Sequence, residues 1–166
     1  MFKFETHKKD LYNTLLFLSR NIFFYEKLKL SDTFETRIYL IFFHFSIMMI
    51  IYKNKGKKFD QSMYDDLFNN IENNLRELGL GDVTVNKKMK ELNRILYDIL
   101  LKIDISNKGQ NIFKIDHKLI IKYFTDLVDE KSSKYMLFRN YFNNFFQFCF
   151  ELPLENMVRD AIKYKV

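Results

Sequence analysis

A chain of 166 residues is long enough for one domain with a substantial core and too short for two domains to be expected. Hydrophobic residues make up 48% of it and aromatic residues 17%, while there are only four glycines and one proline, so the composition excludes a disordered chain and a turn-rich β-sandwich. The net charge of +6 is not gathered into a block of like charges, which argues against a dedicated nucleic-acid-binding tail. Cys149 is the single cysteine, which excludes an internal disulfide and fits a reducing compartment.

The first predicted helices supply apolar material for the centre of the fold. Apolar spacing predicts one helix over 10–25 and a second from Thr33 to Tyr52, which is apolar almost all round. Within the second helix, residues 38–52 carry no formal charge, but this run is shorter than a bilayer requires. We therefore expect a buried helix with His44 hydrogen-bonded in the core, and a membrane-dipping helix is the alternative.

The segment Asp60–Ile103 holds two amphipathic patterns joined by the tight turn Leu78–Thr84, and we expect the rest of the chain to be organised around it. Each pattern gathers its apolar residues within an arc of about 140°, which predicts a helical hairpin packed stripe to stripe. The two stripes are Met63, Tyr64, Leu67, Phe68, Ile71, Leu75 and Leu78, and Val85, Met89, Leu92, Ile95, Leu96, Ile99, Leu100 and Ile103.

The turn carries the residues that end one helix and begin the next. Gly79 is placed to end the first helix with a positive φ, Gly81 offers a second such position, and Thr84 is placed as the N-cap of the second helix. Glu72 and Arg76 are four residues apart in the favourable order. We expect Arg76 to be held locally and, if it is buried, to orient the turn; direct contact with a partner is the alternative.

Three lysines, Lys87, Lys88 and Lys90, follow in the first turns of the second predicted helix, where the helix dipole disfavours cations. Two explanations stay open. Either Asp82 or Glu77 neutralises the lysines, or this end of the helix meets an anionic partner.

One flank of the second helix is basic. Lys87, Lys90 and Arg94 recur at spacings of three and four, and Tyr97 and Leu101 continue the line. A basic edge beside exposed aromatic and apolar groups is typical of a protein-binding groove, and also of an ordinary solvated face.

The remainder of the chain predicts a loop over 104–110, a helix over 116–128, a helix from Ser132 or Ser133 to Glu151, and a short last helix over 154–163. The third of these segments has too many aromatic residues for a narrow stripe, so they fill a core or form a partner-binding surface. Together the patterns predict a single domain over 1–166, a compact all-α bundle of about six or seven helices organised around the central hairpin.

No pattern for catalysis or for a metal or cofactor is present. The three histidines are far apart, and the Gly-Leu-Gly-Asp turn sits between helices and lacks the ending of a phosphate-binding loop. Cys149 has no marked base nearby. We therefore predict no catalytic residue, no metal and no cofactor, and we do not expect an enzyme.

Residues 74–90 read Asn-Leu-Arg-Glu-Leu-Gly-Leu-Gly-Asp-Val-Thr-Val-Asn-Lys-Lys-Met-Lys. This run resembles the signature of the ubiquinol-cytochrome c chaperone family, whose members read Leu-Arg-Glu-Met-Gly-Val-Gly-Asp and then Val-Pro-Lys-Lys-Met-Lys. Asn86 replaces the usual proline, and Asp98-Ile99 stands where many members have Gly-Arg. The similarity spans 22–103 through like residues at Phe24, Tyr25, Asp32, Thr33, Arg37, His44, Gln61, Asp65 and Phe68.

The resemblance implies a bacterial-type assembly chaperone for ubiquinol-cytochrome c reductase, a complex of the respiratory chain. Such a protein would bind newly made cytochrome b or another assembly factor without chemical turnover. We expect it in the bacterial cytoplasm, with contact to the ribosome or to the inner face of the membrane open and no transmembrane helix. The predicted partner-binding residues are Arg76, Glu77, Asp82, Lys87, Lys88, Lys90, Arg94 and Tyr97, and the predicted structural turn residues are Gly79, Gly81 and Thr84.

Two other functions stay open. One is a basic helical module that contacts the ribosome or RNA through Lys53–Lys58 together with Lys87, Lys88 and Lys90. The other is a structural interaction protein that forms a homo-oligomer through its aromatic C-terminal half.

Overall fold

The computed structural model describes residues 2–106 and 112–166. In these residues the chain folds into seven α-helices and one two-stranded sheet and is 76% helical, which confirms the all-α prediction. In chain order the elements are α1 (Phe2–Ser19), α2 (Phe34–Asn54), α3 (Gln61–Glu77), α4 (Asp82–Lys102), β1 (Ile103–Ser106), β2 (Ile112–Ile115), α5 (His117–Tyr123), α6 (Ser133–Glu151) and α7 (Leu154–Asp160).

Helix α2 lies at the centre of the fold and contacts α1, α4, α6, α7 and β1. Its side chains are buried almost without interruption from Ile38 to Ile51. By length and composition α2 could cross a bilayer, but 67% of its apolar 18-residue stretch is buried inside the fold. The prediction of a buried central helix is therefore confirmed.

His44 lies fully buried on α2 with both ring nitrogens hydrogen-bonded. A carbonyl oxygen can only accept, so Nδ1 donates to the carbonyl of Leu40 at 2.6 Å. The other nitrogen of the neutral ring, Nε2, therefore accepts from the hydroxyl of Tyr141 at 2.8 Å. Desolvation lowers the pKa of His44 to about 4, against the opposing effect of the Leu40 carbonyl. The prediction of a hydrogen-bonded core histidine is confirmed, and the structure adds that His44 is neutral and joins α2 to α6.

Helix α1 ends earlier than the apolar spacing predicts. The helix expected over 10–25 stops at Ser19, and the side-chain oxygen of Asn21 accepts a hydrogen bond from the backbone N–H of Phe23 at 3.0 Å. Such a local side-chain bond competes with helix continuation. A π-helical turn, Phe23–Lys27, follows and buries both of its phenylalanines.

The loop predicted over 104–110 is wrong for its first residues. The structure places Ile103–Ser106 in β1, which pairs antiparallel with β2 so that Ile105 lies opposite Phe113. Apolar and polar residues alternate over 103–106 and over 113–115, which suits a sheet with one buried face. The rest of the predicted loop, 107–110, lies outside the described residues.

Helix α5 also ends earlier than predicted. It covers His117–Tyr123 and does not reach Val128, because Phe124 leaves the helical conformation. The ring of Phe124 packs against Phe43 and Phe138, with ring centroids 5.2 and 4.8 Å apart. A 3-10 turn then leads towards α6.

Helix α6 matches its prediction. It begins after Ser132, whose hydroxyl accepts from the backbone N–H of Tyr135 at 3.2 Å, and it ends at Glu151 before Pro153. Helix α7 and the 3-10 turn Ala161–Lys163 cover the span predicted for the last helix. The aromatic residues of α6 mostly fill the core, and the buried ones are Tyr135, Phe138, Tyr141, Phe142, Phe145 and Phe146.

Candidate partner-binding surface

The predicted hairpin is present, with α3 and α4 antiparallel neighbours joined by a short turn. The two helices contact each other, but α3 also packs on α1 and α4 also packs on α2. The stripe-to-stripe expectation is corrected accordingly, since the apolar stripes also face the layer formed by α1 and α2. The outer faces of both helices remain open for contact with a partner.

The turn between the helices has a left-handed glycine at Gly79, whose φ is +87°. Its N–H donates to the carbonyl of Arg76 at 2.9 Å, which closes the end of α3 as predicted. Gly81 does not use a positive φ, because its φ is −74°, and it is Gly81 rather than Thr84 that occupies the N-cap position of α4. Thr84 therefore lies inside the helix, and α4 begins at Asp82.

This earlier start removes most of the electrostatic conflict predicted for the lysines. Asp82 takes the first position of α4, where a carboxylate is favoured, and Lys87 lies beyond the first turn, where the dipole effect has fallen off. Asp82 does not neutralise the lysines, since it pairs with Arg76. Lys88 instead lies 3.8 Å from carboxylate oxygens of Glu35 and Glu91.

Arg76 braces the turn from the last turn of α3. Its guanidinium donates to Asp82 across the turn and to Glu72 at 3.2 Å one turn back along the helix. The hydrogen bonds that Arg76 donates to Asp82 and then to Glu72 raise the pKa of Arg76 above its ordinary value. Local anchoring of Arg76 is confirmed, but the side chain is exposed rather than buried against α4. Glu77 is also exposed, on the outside of the same turn.

The basic flank predicted on the second helix forms the outermost line of α4. Its three cations are exposed, and among the described residues none of them forms an ion pair or a side-chain hydrogen bond. Apolar and aromatic side chains extend the line at both ends with exposed fractions of 83%, 53% and 81% for Val83, Tyr97 and Leu101. We call this line the α4 ridge, and its members are Val83, Lys87, Lys90, Arg94, Tyr97 and Leu101.

Apolar side chains at the turn were not predicted to be exposed. Leu78 was assigned to the core stripe of α3, but it lies beyond the end of the helix and its side chain is 64% exposed. Leu80 and Val83, which follow Gly79 and Gly81, are exposed as well.

A shallow groove of about 360 Å³ runs beside the α4 ridge, between α4, α2 and α5. Burial acts to raise the pKa of Asp98 in this groove, but hydrogen bonds from Lys102, Lys122 and Tyr123 outweigh it and hold the pKa well below its usual range. The network ties α4 to α5. The groove is lined by Tyr39, Glu91, Arg94, Ile95, Asp98, Lys122 and Tyr123.

The basic segment Lys53–Lys58 divides into a structural lysine and exposed ones. The ammonium of Lys55 donates to the carbonyls of Phe150 at 2.6 Å and Leu152 at 3.2 Å, where it satisfies the C-terminal end of α6. Lys57 and Lys58 are exposed and form no ion pair within the described residues. The structure therefore does not join all the predicted cations into one site.

Cys149 is fully buried, and burial raises the pKa of its thiol to about 12. Within the part of the chain that the structure describes, no group of three or more histidine, cysteine, aspartate or glutamate side chains could hold a metal ion.

The hairpin and its turn match a known family. A model described as "Ubiquinol-cytochrome C chaperone" matches residues 26–111, which is just over half of the chain and includes the whole of α2, α3 and α4. The chain belongs to this family. Comparison with the curated proteins and with the solved structures found no match.

Membership of the ubiquinol-cytochrome c chaperone family gives the chain a role as a chaperone in the assembly of ubiquinol-cytochrome c reductase, and implies binding to a component of that complex or to an assembly partner. Ile99, where many members have arginine, is fully buried in this chain. Asp98 beside it anchors the bond network to α5. In this member these two positions therefore serve the core and the helix packing.

Proposed function

We propose that this protein is a non-enzymatic assembly chaperone for ubiquinol-cytochrome c reductase that binds newly made cytochrome b or another assembly factor through the α3–α4 hairpin. The observation that carries the proposal is that the family match covers the complete hairpin, whose outer face presents three unpaired cations beside exposed apolar groups. Exposed apolar and basic groups of this kind support binding to a protein surface.

The predicted site residues take different roles in this proposal. Lys87, Lys90, Arg94 and Tyr97 contact the partner directly because they lie on the α4 ridge. Glu77 is open to the same partner at the turn. The structural group, which holds the turn or the packing of α4 on α2, comprises Arg76, Asp82, Lys88, Gly79 and Gly81. Thr84, which was predicted to belong to it, lies exposed on α4 and does not cap the helix.

We place the action of the protein in the bacterial cytoplasm, at the inner face of the membrane, because a membrane-embedded client such as cytochrome b is made and inserted there. Contact with the ribosome and peripheral association with lipid are a separate proposal, which the exposed cations Lys53, Lys57 and Lys58 support by charge. Client binding by the hairpin does not depend on these three lysines.

The test is a pull-down of the tagged full chain from its own cells, with cytochrome b, other subunits of the complex and ribosomal proteins quantified. The double variant Lys87→Glu, Lys90→Glu is compared with a control, the double variant Lys57→Glu, Lys58→Glu, which has the same change in charge at another exposed site. We expect cytochrome b or an assembly partner to be enriched with the wild type and with the Lys57, Lys58 variant, and lost with the Lys87, Lys90 variant. Enrichment of ribosomal proteins alone, abolished at high salt, would favour the RNA-contacting function instead.

A further inference from the structure

The exposed side chains along the α4 ridge carry an inference beyond the proposed function, on which it rests. The six positions recur at intervals of four, three, four, three and four residues, which is the a and d pattern of a coiled-coil seam. At 100° per residue they fall within about 80° of arc, opposite the buried stripe of α4. The seam is about 27 Å long at 1.5 Å per residue.

Residues on any one face of an α-helix recur at intervals of three and four, so it is the side chains of this line, and not its spacing, that point to a partner. Here the seam has apolar or aromatic side chains at its ends, Val83 and Leu101 with Tyr97, and three unpaired cations between them. A second helix packed along the seam would place its own terminal side chains against the apolar ends of the ridge. Its central side chains would face the three cations.

We infer that the α4 ridge binds one amphipathic helix of a partner protein, whose facing residues are acidic at the centre and apolar at the ends. Charge complementarity selects this occupant. An entirely apolar transmembrane segment would desolvate Lys87, Lys90 and Arg94 without giving them partners, which is costly. A second copy of the same ridge would place cations against cations.

A flat anionic membrane fits the ridge less well than a helix does. Residues 61–104, which contain both hairpin helices, carry eight acidic and six basic residues, so the positive charge is confined to a narrow line. Glu91 and Asp98 lie on α4 beside that line. A helix contacts a narrow line, whereas a membrane surface would also face the neighbouring acids.

The groove beside the ridge adds a position where the partner helix can be anchored. Arg94 belongs to both the ridge and the groove, and Tyr39 and Tyr123 pack against each other on one wall of the groove with ring centroids 5.1 Å apart. An aromatic or aliphatic side chain from the partner helix can enter there while an acidic residue pairs with Arg94.

The test uses two designed helical peptides of about three heptads, one with glutamate and one with lysine at the central seam positions and both with leucine at the outer ones. Binding of each peptide to the full-length protein is measured by fluorescence anisotropy. Two triple variants are compared. The ridge variant is Lys87→Glu, Lys90→Glu, Arg94→Glu, and the control with the same change in charge is Lys53→Glu, Lys57→Glu, Lys58→Glu. Circular dichroism and thermal melting establish that each variant is folded.

We expect the wild type and the control to bind the glutamate peptide, and the ridge variant to bind it roughly tenfold or more weakly and to gain affinity for the lysine peptide instead. Equal loss in the ridge variant and the control would overturn the inference, as would binding to vesicles containing anionic lipid without binding to either peptide. If the peptides fail to bind but cytochrome b or an assembly factor is still recovered in the pull-down, the inference fails while the proposed function stands.

Discussion

The guanidinium of Arg76, in the last turn of α3, binds the carboxylate of Asp82, the first residue of α4. This pair holds the two ends of the turn together, and Glu72 holds the same guanidinium from the other side. The most conspicuous basic residue of the Leu-Arg-Glu signature is therefore an internal brace. The unpaired positive charge lies further along α4.

The brace predicts a stability effect for Arg76→Ala without loss of partner binding. We expect a small decrease in the melting temperature. We also expect a favourable interaction free energy between Arg76 and Asp82 that becomes smaller at high salt, because both side chains are exposed. A double-mutant cycle with Asp82→Ala, measured at low and high salt, tests this. Strictly additive effects at low salt, or loss of partner binding as large as that of Lys87→Glu, Lys90→Glu, would contradict the assignment.

Protonation of His44 predicts how stability depends on pH. The pKa is near 6.5 in an unfolded chain and about 4 in the fold, so between these values the unfolded chain binds more protons. The stabilising contribution is complete above pH 6.5 and falls by about 3 kcal/mol as the pH decreases to 4. Urea unfolding measured from pH 4 to 7.5 gives this slope.

Because carboxylates also titrate near pH 4, the slope needs a comparison with variants. His44→Gln is expected to be less stable than the wild type at neutral pH and to have a shallower slope of stability against pH between pH 4.5 and 6.5. Identical slopes in the wild type and His44→Gln would show that His44 is not the group responsible.

Two buried hydroxyls predict opposite effects of their removal. The hydroxyl of Thr14 donates to the carbonyl of Val158 at 2.9 Å and joins α1 to α7, whereas that of Ser46 has no hydrogen-bond partner within the described residues. We expect Thr14→Val to lower the free energy of unfolding by about 1 kcal/mol, and Ser46→Ala to leave it unchanged or raise it by up to about 1 kcal/mol. Chemical denaturation of both variants measures this, and a larger loss for Ser46→Ala would contradict it.

Lys55 is predicted to matter for stability, unlike its neighbours in the basic segment. Lys55→Met removes the ammonium from the carbonyls of Phe150 and Leu152, and we expect a loss of about 1 kcal/mol because the group is half-buried. Lys57→Met is the control and should be close to neutral. Equal effects of the two substitutions in thermal or urea unfolding would rule out this role of Lys55.

The long periodic patterns of the sequence were sufficient to predict the main helices. In α2, α3, α4 and α6 the apolar spacing persists over several turns, and burial of that face decides the structure. The buried and neutral state of His44 could also be predicted, because a lone histidine in an apolar run has few alternatives. The cap at Ser132 followed from local chemistry in the same way.

The β-hairpin was missed because its strands are short and begin directly after a helix. Ile103 completes the helical stripe of α4, so it was assigned to that helix. Ile103 and Ile105 are buried and Asp104 between them is exposed, which is the period of two that a strand has. Which of the two periods applies depends on pairing with Phe113, which is distant in sequence. The early end of α5 has a similar cause, since packing of Phe124 in the core overrides local preference, whereas α1 ends beside the local side-chain hydrogen bond of Asn21.

For the candidate surface, the sequence predicted the line of the ridge but not the partners of its charges. Helical spacing placed Lys87, Lys90 and Arg94 on one flank. It could not reveal that Lys88 faces Glu35 of α2, because that contact depends on the tertiary packing of α4. The exposure of Leu78 likewise depends on where α3 ends, which is the least certain part of a helix prediction.

The most direct test of the central claim is the amount of assembled ubiquinol-cytochrome c reductase in cells from which the gene for this protein has been deleted. The complex is quantified after complementation with the wild type, with Lys87→Glu, Lys90→Glu, and with Lys57→Glu, Lys58→Glu, at matched levels of each protein. Our account predicts that the deletion depletes the complex, that the wild type and the Lys57, Lys58 variant restore it, and that the Lys87, Lys90 variant does not. Normal levels of the complex in the deletion strain, or full restoration by the Lys87, Lys90 variant, would contradict it.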